Sequence, residues 1–249
     1  MVEGNALAWN RHARRYSSEG NLPVGIVDYY GVDFPTERDL AMIGDPKGLT
    51  VLELGSGACN CGIALAILGA TVTCLDLSSE QLKIGREDAA SAGVSLECVQ
   101  GDMEDLSALS GRRFDLVLSV CALTYVPNIS AVFRQVAGVL RPGGRFIFSV
   151  DHPIFMAIGA TELWPDEGAD PDYSYQGAVK WRWLPEDEYE FTTFRRPVSE
   201  FVNALHASGL CIQRMVDLYP TDFSKWGPTE SRLRRRFPSA MVLLSTKPA

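Results

Sequence analysis

The chain reads as an α/β protein built around a mostly parallel sheet, and two features of the sequence predict this. From residue 50 to 150, short apolar, β-branched runs alternate with longer helical patterns, the rhythm of repeated βαβ units. The first run, Thr50 to Leu54, passes directly into the turn Gly55-Ser56-Gly57, as the first strand of a ligand-binding doubly wound sheet does.

Strands are expected at Thr50 to Leu54, Thr71 to Asp76, Ser95 to Gln100, Phe114 to Val120 and Arg145 to Val150. Helices are expected between them near Cys61 to Leu68, Ser79 to Ala92 and Ile129 to Leu140, the last stopped by Arg141-Pro142-Gly143-Gly144. Residues 155 to 192 break the rhythm. There Pro165, Pro171 and Pro185 separate Trp164, Tyr173, Tyr175, Trp181, Trp183 and Tyr189 among many acidic residues, and the stretch reads as an inserted lid. The order then resumes with a helix at Val198 to Ser208, a strand near Cys211 to Leu218 and a last apolar strand around Ala240 to Ser245.

Composition narrows the classes of function. A chain of 249 residues, 46% hydrophobic, can bury a full core as one α/β domain with an elaboration. The formal charge of −8 argues against a general nucleic-acid binder, because that affinity comes from neutralising phosphates with Lys and Arg. Arg232, Arg234, Arg235 and Arg236 are the local exception and read as a solvated helix face. The six cysteines lie mostly in apolar segments; Cys59 and Cys61 are close together but lack the second ligand pair of a zinc site, so no metal is expected. No stretch reaches the roughly 18 uninterrupted apolar residues of a membrane helix, and Arg11, Arg14 and Arg15 precede no signal-like apolar run. A cytoplasmic protein without a membrane partner is expected.

Gly55 and Gly57 let the backbone approach a ligand where a Cβ would collide. By itself this pattern serves NAD, FAD and S-adenosylmethionine folds, and some glycine pairs only make turns. Glu53 narrows the choice: a carboxylate in an apolar strand is costly to bury without a partner, and it would repel a pyrophosphate but suit an ammonium and a sulfonium. Asn60 also stands where a dinucleotide loop would have its third glycine. Asp76, nineteen residues beyond Gly57, either accepts hydrogen bonds from ribose hydroxyls or starts the next helix as a cap. In Gly101-Asp102-Met103, the carboxylate could take an adenine amino group while Met103 covers the ring; the alternative is an ordinary turn acid beside a core methionine.

Taken together, Val51 to Gly57, Leu75-Asp76, Gly101-Asp102-Met103, Phe114 to Ser119 and Leu140 to Arg145 resemble the ordered motifs of class I S-adenosylmethionine-dependent methyltransferases. Among these the chain looks most like the bacterial small-molecule enzymes related to quinone-biosynthesis methyltransferases. The resemblance covers about residues 45 to 150. It implies a Rossmann-like fold, a mostly parallel seven-stranded sheet with an antiparallel last strand, and S-adenosylmethionine as cofactor. It further places Glu53, Gly55 and Gly57 near the methionine moiety, Asp76 at the ribose, Asp102 and Met103 at the adenine, and Ser119 with Cys121 beside the cofactor, with Ser56 and Leu77 also among the cofactor-binding residues. Cys59 departs from the family, which often has a third glycine there. The family commonly begins with a helix whose aromatic residues close over the cofactor; Trp9 to Tyr16 resembles it, with Tyr16 as the contact. Residues 1–40 would then be a helical cap and 41–249 the methyltransferase domain, with its lid at about 155–192.

His152, directly after the fifth strand, is the candidate base, or else it fixes the turn in Asp151-His152-Pro153. Tyr125, His152, Trp164, Trp181 and Trp183 are the candidate contacts to a small-molecule acceptor. A base suits a hydroxyl or phenol; without one, a neutral amine or N-heterocycle attacks unaided. A nucleotide-dependent oxidoreductase, a noncatalytic binding protein and an RNA methyltransferase remain as alternatives, and monomer and homodimer are both open.

Overall fold

Apolar runs buried on both faces become the central strands here, as in parallel sheets covered by helices on each side. The computed structural model describes residues 2–19, 25–162, 173, 174 and 176–249. In chain order the elements are α1 (Val2–Glu19), α2 (Glu37–Leu40), β1 (Thr50–Leu54), α3 (Asn60–Ile67), β2 (Thr71–Asp76), α4 (Ser79–Ser91) and β3 (Glu97–Gln100). Then come β4 (Phe114–Val120), α5 (Ile129–Val139), β5 (Leu140–Asp151), α6 (Pro153–Glu162), β6 (Gly177–Trp181) and β7 (Phe191–Arg195). The last are α7 (Val198–Ala207), β8 (Cys211–Leu218), α8 (Pro228–Arg234) and β9 (Ala240–Thr246).

The main sheet has seven strands in the order β3-β2-β1-β4-β5-β9-β8. The strands from β1 to β5 pair in parallel, whereas β9 runs antiparallel to both β5 and β8. This is the sheet the sequence predicts. Strand order reverses between β1 and β4, so their carboxyl ends open the crevice where ligands bind in such folds.

Alternation along β1 feeds two cores. Leu52 and Leu54 join one cluster with Phe133 of α5, Phe146 and Phe148 of β5 and Phe201 of α7, while Val51 joins another with Ile63 and Leu65 of α3, Leu82 of α4 and Tyr29. Val27, Phe34 and Leu40, which the sequence groups with the N-terminal cap, also lie in this second core. Helices α4 and α5 begin where a side chain satisfies a free backbone N–H group. Ser78 accepts from Gln81 N–H at 3.1 Å to start α4, and Asn128 accepts from Ala131 N–H at 3.0 Å to start α5.

Most boundaries fall within about two residues of expectation, and the start of β5 is the exception. Strand β5 starts at Leu140, paired with Phe114, and its register shifts before Arg145 pairs with Leu116. The Arg141-Pro142-Gly143-Gly144 stretch therefore does more than stop a helix. Gly143 N–H donates to Lys247 O and Lys247 N–H to Gly144 O, both at 2.9 Å, so it is tied to the chain just after β9.

Within the lid the structure describes α6 and an antiparallel hairpin in which Trp181 pairs with Phe191, the two rings stacking at 4.4 Å between centres. Trp164 lies outside the described residues. No helix among those described is long and apolar enough to cross a membrane.

Candidate active site

The glycine turn is held flat against the sheet. Gly55 N–H and Ser56 N–H both donate to Leu75 O, at 2.8 and 3.1 Å. Gly55 adopts φ +63°, and a Cβ there would stand 2.2 Å from Ala122 Cβ and 2.9 Å from Met103 Cε. Only glycine fits. Cys59 takes the left-handed conformation itself at φ 61°, so the turn keeps a glycine-like backbone at a cost of about 1 kcal/mol.

Asp76 faces this turn from the end of β2. Its Oδ2 accepts from Gly57 N–H at 2.8 Å and its Oδ1 from Ser78 N–H at 2.8 Å. A carboxylate has about four lone-pair sites, so these bonds leave acceptor capacity for a ligand hydroxyl. Ser78, not Asp76, caps the helix. Burial pushes the Asp76 carboxyl above its ordinary range, opposed by these backbone bonds.

These groups line a cavity of about 290 Å³ whose floor includes Gly55, Gly57, Asp76, Leu77, Met103 and Cys121. The roof is α1, with Asn5, Trp9 and Tyr16, together with Trp181 and Trp183 from the lid. Asn5, only 2% exposed, clamps the two parts of the roof together. Its Oδ1 accepts from Thr192 N–H at 2.7 Å and its Nδ2 donates to Thr192 O at 2.9 Å. Asn10 Oδ1 accepts from the Ser78 hydroxyl at 2.7 Å, docking α1 on the start of α4. Trp9 meets Tyr16, Tyr125 and Phe191 edge to face at 4.9 to 5.4 Å, and His12 stacks on Trp183 at 5.5 Å. Asn5 carried no sequence signal, since its partner is 187 positions away.

Other predicted residues do not line this cavity. Ser119 is fully buried and donates to Leu54 O at 3.0 Å, latching β4 to β1. Ser56 is buried with its hydroxyl 3.6 Å from Cys59 Sγ. Asp102 Oδ1 accepts from Glu104 N–H at 2.9 Å, while its neighbours Gly101 and Met103 reach the cavity.

Glu53 points beneath α3, where Oε2 accepts from Gly62 N–H at 2.9 Å and from Cys74 Sγ at 3.5 Å. Burial pushes its carboxyl up to about 8. Between pH 4.5 and 8 the folded chain thus keeps a proton that the unfolded chain has lost. Glu53 therefore makes stability fall as pH rises through that window, by about 1.4 kcal/mol per pH unit. Glu53→Gln should flatten this slope in urea melts between pH 5 and 8, with the variant gaining on the parent at the alkaline end. An unchanged slope would refute the protonated state.

A second cavity of about 400 Å³ opens beside the first and shares Tyr125, Asp151 and Trp181 with it. Tyr30 donates a short hydrogen bond from its hydroxyl to Asp151 Oδ1. Burial raises the Asp151 carboxyl, opposed by that bond and by the nearby positive charge of Arg234. His152 reaches neither cavity. Its Nδ1 accepts from Ile154 N–H at 3.2 Å and its Nε2 lies 3.4 Å from Asp217 Oδ1, so the ring fixes the turn into α6.

The arginine cluster is also divided. Arg232, Arg235 and Arg236 are exposed as expected, but Arg234 is 8% exposed and faces the second cavity. Its guanidinium sits between the rings of Phe155 and Trp226, at 4.6 and 4.7 Å from their centres, and this apolar packing turns it inward.

A glycine turn at the switch point, an acid ending the next strand and a second chamber alongside define a nucleoside-binding transferase of the doubly wound class. A family model described as a methyltransferase domain matches residues 52–148. An S-adenosylmethionine-dependent methyltransferase of known structure from Mesorhizobium loti is 30% identical, with TM-score 0.68 over 83% of this chain and 94% of that one. The ubiquinone biosynthesis O-methyltransferase of Vibrio vulnificus (strain YJ016) is 28% identical over 177 residues, 69% of this chain and 68% of that protein. The uncharacterized methyltransferase YbaJ of Bacillus subtilis is 37% identical over 117 residues, 47% of this chain and 46% of its own length. The chain belongs to the S-adenosylmethionine-dependent methyltransferases.

Proposed function

We propose that the enzyme methylates a hydroxyl of a small aromatic acceptor held in the second cavity. What carries this reading is the junction of the two chambers at Tyr125, Asp151 and Trp181. Bound in the first chamber, S-adenosylmethionine supplies an electrophilic methyl group. There Asp76 would hold the ribose hydroxyls, Met103 and Leu77 would flank the nucleoside, and Trp9 and Tyr16 would close the roof over it. The opening helix thus acts as a cap, while Val27 to Leu40 complete the core of the methyltransferase domain that continues through residues 41–249, with the lid at about 155–192, and the protein works in the cytosol.

The acceptor lies against Tyr125 and Trp181 with its hydroxyl toward Asp151. Holding both partners in neighbouring chambers removes most of the entropic cost of bringing them together. Asp151 takes the hydroxyl proton as the oxygen accepts the methyl group, while Tyr30 anchors the other carboxylate oxygen. Asp151 replaces His152 in this role, because the His152 nitrogens are already engaged. The curated relatives named as ubiquinone biosynthesis O-methyltransferases favour oxygen over nitrogen.

The test is incubation with methyl-labelled cofactor and matched phenols, anilines and RNA. Label in the phenols is the expected result; label confined to amines or RNA would overturn the assignment.

A further inference from the structure

The second cavity carries more positive charge than proton removal requires. Arg195, Arg196 and Arg234 all line it. Arg196 is fully committed: it pairs with Glu200 at 3.0 Å and donates to Pro127 O at 2.9 Å and to Val126 O. Arg234 is only partly so. Its Nε and Nη2 hold Glu230 at 2.8 and 2.7 Å, but its buried Nη1 has no hydrogen-bond partner among the described residues. Nε of Arg195 is buried and unpartnered in the same way. A buried donor without an acceptor costs about 1–3 kcal/mol, and more when charged. Both side chains line the chamber, so its wall holds cationic donor capacity that the described residues do not use.

We propose that this wall is an anion subsite in which Arg234 and Arg195 hold a carboxylate borne by the methyl acceptor. The inference rests on the acceptor occupying this cavity and adds the chemistry of its far end. Glu200 and Glu230 each pair with one of the three guanidinium groups and Asp151 is the chamber's third carboxylate, so the cavity is near neutral overall and its attraction for an anion is local, at Arg234 and Arg195. A planar carboxylate also offers two oxygens, enough for one donor from each arginine. Arg234 is held in place by Phe155 and Trp226, so little side-chain freedom is lost on binding. The acceptor class that follows is a hydroxylated aromatic acid, with its hydroxyl at Asp151 and its carboxylate at the arginine wall.

The experiment compares hydroxylated benzoic acids with their own primary amides, by calorimetry on the protein saturated with S-adenosylhomocysteine and by turnover with methyl-labelled cofactor. Each acid that binds should bind at least tenfold tighter than its amide. Arg234→Met should erase that preference while leaving S-adenosylhomocysteine affinity unchanged, Arg234→Lys should restore part of it, and Arg195→Met should reduce it. Equal affinity of acids and amides, no binding by any acid, or an equal loss for acid and amide in both methionine variants would overturn the subsite. Acids that bind preferentially yet receive no label on oxygen would support the subsite and refute hydroxyl methylation. Label on amides as readily as on acids would do the reverse.

Discussion

Asp151→Asn should lower kcat toward a phenolic acceptor by about 10²- to 10⁴-fold, the range for loss of a positioned proton acceptor, and leave affinity for S-adenosylhomocysteine nearly unchanged. Asparagine keeps the shape and can still accept from the Tyr30 hydroxyl, but it cannot take up the proton. Only the ionised carboxylate serves, so activity in the parent enzyme should rise with pH through the Asp151 titration. Burial shifts that rise above the ordinary aspartate range. Steady-state rates across pH in parent and variant check both statements. Near-parental kcat in Asp151→Asn would refute the assignment, and His152→Ala is expected to keep most of its turnover.

Asp76→Ala should weaken S-adenosylhomocysteine binding by roughly 100-fold, about 2.7 kcal/mol, the scale of losing hydrogen bonds to a buried charge. The effect has two sources. The alanine removes the acceptor sites left for the ligand, and it frees Gly57 N–H and Ser78 N–H, whose bonds shape the turn. At a ligand concentration 100-fold over the parental Kd, the parent gains about 2.7 kcal/mol of stability, whereas a variant bound 100-fold more weakly gains about 0.4 kcal/mol. Thermal melts with and without ligand read that difference directly. An undiminished shift in Asp76→Ala would mean that the nucleoside is held elsewhere.

The legible residues were those whose role is set by position along a strand. Gly55, Asp76, Met103 and Cys121 end or follow strands, and a parallel sheet brings those ends to one edge. Facing is harder to read than position. Glu53, Ser119 and His152 fall in the right segments, yet their side chains turn under α3, back toward β1 and toward Asp217. Motif spacing says where a residue sits along the chain, not what its side chain meets. The acceptor chamber was hidden for a different reason. Tyr30, Asp151, Arg195 and Arg234 belong to four separate segments that are joined only by packing. Arg234 was further masked by its exposed arginine neighbours, which gave the segment the look of a solvated face.

The clamp between Asn5 and Thr192 also bears on when the protein becomes competent during its synthesis. The floor of the cofactor chamber is made by residues 55 to 122, which leave the ribosome early. Thr192, to which the opening helix is bound, emerges some seventy residues later. A chain that ends before that point has the glycine turn, Asp76 and the Asn10–Ser78 contact that docks the opening helix, but lacks the Asn5 clamp. Domains form N-terminal first as the chain emerges, yet in this one the opening helix is among the last parts to find its full set of partners. Full closure over the nucleoside site therefore waits until Thr192 has been made, and translation itself delays completion of a site whose floor is made first.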